Sequence, residues 1–193
     1  MYLEILAGGG SLYTMHYEIV MAGTGGQGIM VMGQLLAHAA VVEDKNVVWF
    51  PSYGPESRGG SSDCTVIVSS AEIGSPVTPT PNVLIAMSQP ALERFLPSVQ
   101  REGLVVYNST LVSCPAGRED CHLVCVPASE VAEEMGNYRV ANMVMLGAFV
   151  ALAKPVSIDS VCAALAEVLP EHRHNLIPLN ESAIRRGTEL VQG

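Results

Sequence analysis

The sequence is short of charge, and above all of lysine. Only 15% of its 193 residues are Asp, Glu, Lys or Arg, against roughly 25% in ordinary soluble domains. The two lysines are Lys45 and Lys154. Together with eight arginines they give 10 basic residues against 19 acidic ones, a net charge of −9. Such a chain is not expected to bind the phosphate backbone of nucleic acids. The shortage of charge indicates either a membrane segment or a surface covered by other subunits.

Apolar runs long enough to span a membrane are also absent. Residues 19–42 carry no charge, but the glycines at 23, 25, 26 and 28, with Gln27 and Gln34, interrupt the apolar run, which is typical of a loop between a strand and a helix. The second apolar run, residues 140–153, is too short to span a membrane. No basic residue precedes Lys45, so the N-terminus lacks the positive region of a signal peptide. Five cysteines, an odd number, fit the reducing cytoplasm, and we expect Cys114, Cys121 and Cys125 to be buried and structural.

Apolar strands alternate with helical segments, without internal repeats or a domain boundary. This pattern predicts a single α/β domain over residues 15–193, a three-layer α/β/α Rossmann-like fold with a largely parallel sheet. Strands are predicted at 17–22, 47–50, 64–68, 83–87, 104–107 and 123–126, and helices at 29–42, after Pro90, and at 127–135, 139–153, 157–169 and up to Leu190.

Residues 1–14 and the helix at 139–153 differ from the rest of this pattern. Residues 1–14 contain Gly8-Gly9-Gly10-Ser11 and are expected to be a weakly ordered lead-in or to follow from an upstream start, with Met15 as the alternative first residue. The helix at 139–153 is apolar on nearly every face, which predicts a core helix with one face toward a partner. Asn142 is its polar group and must find a hydrogen-bond partner there.

A glycine loop joins the first strand to the first helix. It carries the G-x-G-x-x-G spacing, and its candidate ligand-binding residues are Gly23, Gly25, Gly26, Gln27 and Gly28. Glycines let the backbone turn sharply and approach a ligand, and the unpaired N–H groups at a helix start favour an anion. A dinucleotide site also needs an acid about 20 residues later, where this sequence has Phe50-Pro51-Ser52. NAD, a phosphate or coenzyme A (CoA), and a purely structural turn remain alternatives.

A second polar loop follows the second strand, at the edge where open parallel sheets place their sites. Its candidate residues are Ser52, Tyr53, Gly54, Glu56, Arg58, Gly59 and Gly60. The planar guanidinium of Arg58 is suited to a carboxylate or a phosphate. The alternative is an ordered loop with an internal Glu56–Arg58 pair.

Other chemistry-bearing residues do not form a known motif. Cys121 and Cys125 are spaced for one face of a strand, about 13 Å apart at strand rise, and fit no zinc pattern. His172-Arg173-His174 is interpreted as a solvated helix start. No G-x-S-x-G elbow is present. We therefore expect neither a catalytic residue nor a metal ligand in this chain.

The two loops together resemble a known family. Gly-Thr-Gly-Gly-Gln-Gly-Ile at 23–29 and Ser-Tyr-Gly-Pro-Glu-Ser-Arg-Gly-Gly at 52–60 are similar to the gamma subunit of 2-oxoacid:ferredoxin (acceptor) oxidoreductases. The similarity continues through 64–68, 82–87 and 136–148. The Tyr-Gly-Pro-Glu form resembles the 2-oxoglutarate or branched-chain type more than the indolepyruvate type.

The resemblance implies an assembly that oxidatively decarboxylates a 2-oxoacid, 2-oxoglutarate or a related one, to an acyl-CoA and reduces ferredoxin. It implies thiamine diphosphate and Mg²⁺ on alpha and beta subunits, iron–sulfur clusters elsewhere, a ferredoxin-like delta subunit, and a second gamma chain as a further partner. The chain has no Gly-Asp-Gly signature and no closely spaced four-cysteine run. It would be non-catalytic alone, hold no cofactor by itself, and contribute to assembly and to the CoA side of the site. The alternatives are a free-standing NAD(P)-binding oxidoreductase and a regulatory scaffold.

Overall fold

The structure, a computed structural model, describes residues 14–53, 60–114 and 117–192. The strands are β1 His16–Thr24, β2 Asn46–Tyr53, β3 Ser61–Ser69, β4 Val83–Ala86, β5 Leu104–Asn108 and β6 His122–Val126. The helices are α1 Ile29–Val42, α2 Gln89–Phe95, α3 Ala128–Glu134, α4 Ala141–Ala153, α5 Ile158–Val168 and α6 Ile177–Glu189. Three short 3-10 helices lie at Leu96–Ser98, Tyr138–Val140 and Glu171–Leu176. Of the expected lead-in at 1–14, residues 1–13 lie outside the described residues.

The six strands form one sheet in the order β2-β3-β1-β4-β5-β6. β1, β4, β5 and β6 are parallel, whereas β3 is antiparallel to both of its neighbours. Seven residues separate β2 from β3, fewer than the dozen or more that a crossover between parallel strands needs, so the chain returns in the opposite direction. The prediction of a largely parallel α/β sheet is confirmed, with β3 as the one reversed strand.

The second strand is longer than expected. Its predicted end at Phe50, before Pro51, is wrong, because β2 continues to Tyr53. The next strand, β3, begins at Ser61, three residues before its predicted start. Proline lacks the N–H needed inside a sheet but is tolerated at an edge, and β2 is an edge strand. Ser52 and Tyr53 therefore belong to a strand and not to a loop.

The two faces of the sheet are covered unequally. Alternate β1 side chains point to opposite faces: Ile19 and Met21 join the large apolar cluster with α1 and α3 to α6, while Val20 and Ala22 join a smaller cluster with α2. The smaller cluster covers the central strands on its face of the sheet but does not extend over the whole of the edge strand β6. Cys125 on β6 is accordingly exposed, as is Cys114 in a loop, so the prediction of buried cysteines is wrong for these two.

Helix α4 is the centre of the core. Residues 141–150 are all buried by the chain itself. The prediction that one face of this helix is turned toward a partner is therefore wrong. The helix is apolar all round because α6 packs against it very closely. A Cβ at Gly147 would overlap the carbonyl oxygen of Ile184, and one at Gly187 would overlap that of Val144.

A charged link at the opposite edge of the sheet joins α1, β2 and α5. Glu43 Oε1 accepts a hydrogen bond from Ser157 N at 2.6 Å, and Glu43 Oε2 accepts one from Lys45 Nζ at 2.6 Å. Partial burial alone would raise the pKa of Glu43, but the hydrogen bonds from Lys45, Ser157 and Ser160 outweigh it and lower the pKa to about 2. The ionised carboxylate thus stabilises the fold.

Replacing Glu43 by glutamine is expected to lower the free energy of unfolding at pH 7 by about 1.5–3 kcal/mol, the range for hydrogen bonds to a charged group. Because the folded pKa lies below the unfolded value of about 4.3, this contribution is complete above about pH 5 and is lost as the pH falls toward 2. Urea unfolding of both proteins from pH 7 to pH 3 measures it. Glu189→Gln, which breaks an exposed pair with Arg186, is the control, and an equal loss in the two variants would contradict the prediction.

Candidate functional site

The glycine loop is held in place by one side chain at the carboxyl edge of the sheet. Gln27 Oε1 accepts a hydrogen bond from Thr24 N at 2.7 Å, and Gln27 Nε2 donates to Met87 O at 3.0 Å. The amide thereby ties the turn after β1 to the residue after β4. Gly23 is required here, because a Cβ would lie 2.9 Å from the Met87 Cβ.

The loop ends at Gly28, where α1 begins. Gly28 has φ +74°, a conformation that favours glycine. Its carbonyl oxygen accepts hydrogen bonds from Met32 N at 3.1 Å and from Asn142 Nδ2 at 3.2 Å. The first N–H groups of the 14-residue α1 have no acceptor within the helix, which makes this end attractive to an anion.

The structure brings the two predicted loops together. Gly25 N donates a hydrogen bond to Gly60 O at 2.9 Å. Arg94 Nη1 on α2 contacts Ser61 Oγ at 2.8 Å and Asp63 Oδ1 at 3.3 Å, which fixes the start of β3. Ser52 and Tyr53 pair with Asp63 and Ser62 at the same end of the sheet. Four candidates, Gly54, Glu56, Arg58 and Gly59, lie outside the described residues, and both interpretations of Arg58 stay predictions.

A cavity of about 310 Å³ opens beside the glycine loop. It is lined by Gly26, Gln27, Met87, Leu111, Ser129, Glu133, Tyr138, Arg139, Ala141 and Asn142. These residues follow the carboxyl ends of β1, β4, β5 and β6 or begin α4. From β1 the chain proceeds to β2 on one side of the sheet, and from β4 to β5 on the other. The cavity therefore lies at the point where the strand order reverses, the usual ligand position in open α/β sheets.

Two polar residues of this cavity, Arg139 and Asn142, were not predicted as site residues from the sequence. Arg139 stands beside Tyr138, with its Cζ 5.8 Å from the ring centre, and forms no ion pair within the described part of the chain. Asn142 is 4% exposed, and its Oδ1 has no hydrogen-bond partner among the described residues. A signal for Arg139 was present: an arginine opening an apolar helix is unusual, since helix starts favour acidic residues.

The described residues provide no candidate metal centre. Over 14–53, 60–114 and 117–192, no group of three or more His, Cys, Asp or Glu side chains is arranged to hold a metal ion. His172-Arg173-His174 lies in the 3-10 helix at Glu171–Leu176, where His174 Nε2 contacts Leu169 O at 2.8 Å. None of the helices in these ranges combines the length and apolarity needed to cross a membrane.

Known proteins resemble the chain in sequence. Ketoisovalerate oxidoreductase subunit VorA of Methanothermobacter thermautotrophicus is 45% identical over 135 residues, which are 70% of this chain and 28% of VorA. The chain thus spans little more than a quarter of that relative. The 2-oxoglutarate synthase subunit KorC of Methanocaldococcus jannaschii is 37% identical over 160 residues, covering 81% of this chain and 86% of KorC. These names agree with the predicted 2-oxoglutarate or branched-chain type.

Solved structures share the fold. The gamma subunit of a keto/oxoacid ferredoxin oxidoreductase from Geobacter sulfurreducens has a TM-score of 0.77 and 32% identity, and the match covers 91% of this chain and 98% of that one. The 2-oxoglutarate:ferredoxin oxidoreductase from Magnetococcus marinus, solved with 2-oxoglutarate, coenzyme A and succinyl-CoA bound, has a TM-score of 0.84 and 26% identity, covering 92% of this chain and 31% of that one. The model of the pyruvate ferredoxin/flavodoxin oxidoreductase family matches residues 18–190. The chain therefore belongs to the pyruvate ferredoxin/flavodoxin oxidoreductase family.

Proposed function

We propose that this chain is the gamma subunit of a cytoplasmic 2-oxoacid:ferredoxin oxidoreductase acting on 2-oxoglutarate or a branched-chain 2-oxoacid. The observation that carries the proposal is the hydrogen bond between Gly25 and Gly60, which joins both family motifs at one edge of the sheet. Similarity to KorC over 86% of its length supports the assignment to this class of oxidoreductase. The chain covers only 28% of VorA, which is consistent with the same domain forming one part of a longer polypeptide in that relative.

The proposal divides the chemistry among the subunits. Alpha and beta subunits would hold thiamine diphosphate with Mg²⁺ and decarboxylate the 2-oxoacid, and iron–sulfur clusters with a ferredoxin-like delta subunit would carry the electrons away. This chain would contact the CoA side through the glycine loop and the second loop. There the amino end of α1 and Arg139 offer positive charge to a phosphate-bearing substrate. A second gamma chain would complete the assembly.

Co-expression of this chain with the neighbouring genes tests the proposed function. We expect the chain to co-purify with thiamine-dependent subunits, and the complex to reduce methyl viologen only when both a 2-oxoacid and CoA are present. Leaving out this chain is expected to remove that activity, since the CoA side of the site would be incomplete. Full activity of a complex that lacks the chain would refute the proposal.

Two further measurements separate the rival functions. The glycine spacing is the observation that favours a free-standing NAD(P) enzyme, and calorimetry with NADH and NADPH should give no binding heat if the gamma assignment is right. A scaffold without a site role is tested by Arg58→Ala in the intact complex. Unchanged turnover in that variant would favour the scaffold, and a reduced turnover would favour a role of the second loop at the site.

A further inference from the structure

We propose that Cys114 and Cys125 form a thiol–disulfide exchange site, where a small organic disulfide oxidises them reversibly to one intramolecular disulfide. Tyr107 is the residue that holds the two sulfur atoms together. The site lies at the β6 edge of the sheet, on the face that carries α2. The inference is independent of the proposed function, which assigns no chemistry to these thiols.

Cys125 and Tyr107 are neighbours across two parallel strands. The register pairs Tyr107 on β5 with Cys125 on β6, so their side chains leave the sheet on the same face. Tyr107 belongs to the smaller apolar cluster. Cys125 is exposed, because that cluster does not extend over the whole of β6. The Cys125 thiol is therefore accessible to a small molecule from solvent.

Cys114 reaches the same position from the segment that follows β5. This segment turns back over the end of its strand, because Val112 N donates a hydrogen bond to Asn108 O at 2.9 Å. Ser113 N donates a further hydrogen bond to Gln89 Oε1 on α2 at 3.0 Å. Cys114 follows directly and is exposed as well. Two accessible cysteines from different elements thus meet on one face of the sheet.

The Tyr107 hydroxyl is hydrogen-bonded to both Cys114 and Cys125. Two sulfur atoms that contact one oxygen are no farther apart than two hydrogen-bond lengths. A change of side-chain rotamers with a small displacement of the segment at 109–114 would bring them to the disulfide bond length of about 2.05 Å. Cys64 and Cys121 are buried and do not compete for a reagent from solvent.

The protonation state of Tyr107 suits this exchange. Burial, together with the hydrogen bonds to Cys114 and Cys125, raises the pKa of Tyr107 to about 12. The phenol therefore keeps its proton at neutral pH. It donates a hydrogen bond to whichever of the two sulfur atoms carries negative charge during the reaction, and the attacking species in thiol–disulfide exchange is a thiolate.

The reaction conserves atoms and electrons. The thiolate of one cysteine attacks one sulfur of the organic disulfide, forms a mixed disulfide and releases a small thiolate, which takes up a proton. The thiolate of the other cysteine then attacks the protein sulfur of the mixed disulfide and releases the second small thiol. The two cysteines together lose two electrons and two protons, and the organic disulfide gains them as two thiols.

Oxidation would also tie the segment at 109–114 to β6. A cross-link restricts the locally open states of the segment that it closes. We therefore expect the amide hydrogen of Ser113 to exchange with solvent about tenfold more slowly in the oxidised chain. Leu111 of the same segment lines the cavity beside the glycine loop, so the redox state of the two thiols would reach one wall of that cavity.

Equilibration of the full chain with mixtures of reduced and oxidised glutathione tests the site. After the remaining thiols are alkylated, trypsin cleavage at Arg118 separates Cys114 from Cys125, and a disulfide between them appears as two linked peptides. We expect this linked pair to increase with oxidised glutathione and to disappear with dithiothreitol. Cys125→Ser should abolish it, whereas the matched Cys162→Ser, a half-buried cysteine on α5, should not.

Tyr107→Phe keeps the ring and removes the shared hydroxyl. It should form the disulfide about tenfold more slowly, the effect of losing one hydrogen bond to a charged sulfur, while Tyr138→Phe, which changes an exposed tyrosine, should react like the parent. Mixed disulfides with glutathione and no linked pair would overturn the inference. So would a linked pair that persists in Cys125→Ser, equal rates in Tyr107→Phe and the parent, or unchanged amide exchange at Ser113 after oxidation.

Discussion

Replacing Gly147 by alanine is expected to cost at least about 3 kcal/mol of the free energy of unfolding, at the upper end for overpacked cores. The added Cβ would overlap the backbone carbonyl of Ile184 on α6. Backbone atoms in a helix cannot rotate away as a side chain does, so α6 as a whole would have to withdraw from α4. Gly187→Ala is expected to cause a similar loss, because its Cβ would overlap the carbonyl of Val144.

Urea denaturation of purified variants measures this loss. Gly74→Ala is the matched control, because a Cβ there meets no atom within 4 Å and its φ is not in the left-handed region. That variant should stay within about 0.5 kcal/mol of the parent. If Gly147→Ala were as stable as Gly74→Ala, the close crossing of α4 and α6 would be wrong.

Replacing Gly28 by alanine is expected to disable the site as well as to destabilise the fold. Two costs add at this position. An alanine at φ +74° is strained by about 1 kcal/mol, and its Cβ would displace the amide of Asn142, breaking the hydrogen bond to Gly28 O for about another 1 kcal/mol. Because that amide lines the cavity, CoA-dependent turnover of the complex should fall at least tenfold.

Gly26→Ala separates the two costs of Gly28→Ala. Gly26 also has a positive φ, +97°, but a Cβ there meets no atom within 4 Å. The expected order of stability is parent, then Gly26→Ala, then Gly28→Ala. In the double variant Gly28→Ala/Asn142→Ala the overlap is removed, so its loss should be smaller than the sum of the two single losses. Strict additivity would show that Asn142 does not respond to Gly28.

Elements bounded by strong local signals were predicted well from the sequence. Helix α1 has the predicted limits, Ile29 and Val42, because a glycine loop precedes it and a polar turn at Glu43 follows. The end of β2 was missed for a tertiary reason, since proline breaks a central strand and is tolerated at an edge. Nothing local in the sequence places β2 at the edge of the sheet.

The site was predicted only in part, for a similar reason. The glycine loop and the second loop were recognisable as contiguous motifs that follow two strands. Asn142 reaches Gly28 across 114 positions, a contact that periodicity does not reveal. The apolar run of α4 was equally compatible with a core helix and with a subunit interface, and only the close approach of α6 through Gly147 decides between them.

The hydrogen bond from Asn142 to Gly28 has a consequence for the dynamics of the molecule. Surface loops usually open locally, at a small fraction of the global free energy. Here the first turn of α1 is attached to the most buried of the described helices, so the N–H of Met32, which donates to Gly28 O, should exchange with solvent together with the core. The ligand edge and the core then form one cooperative unit, and a core substitution that loosens α4 reaches the cavity without touching it.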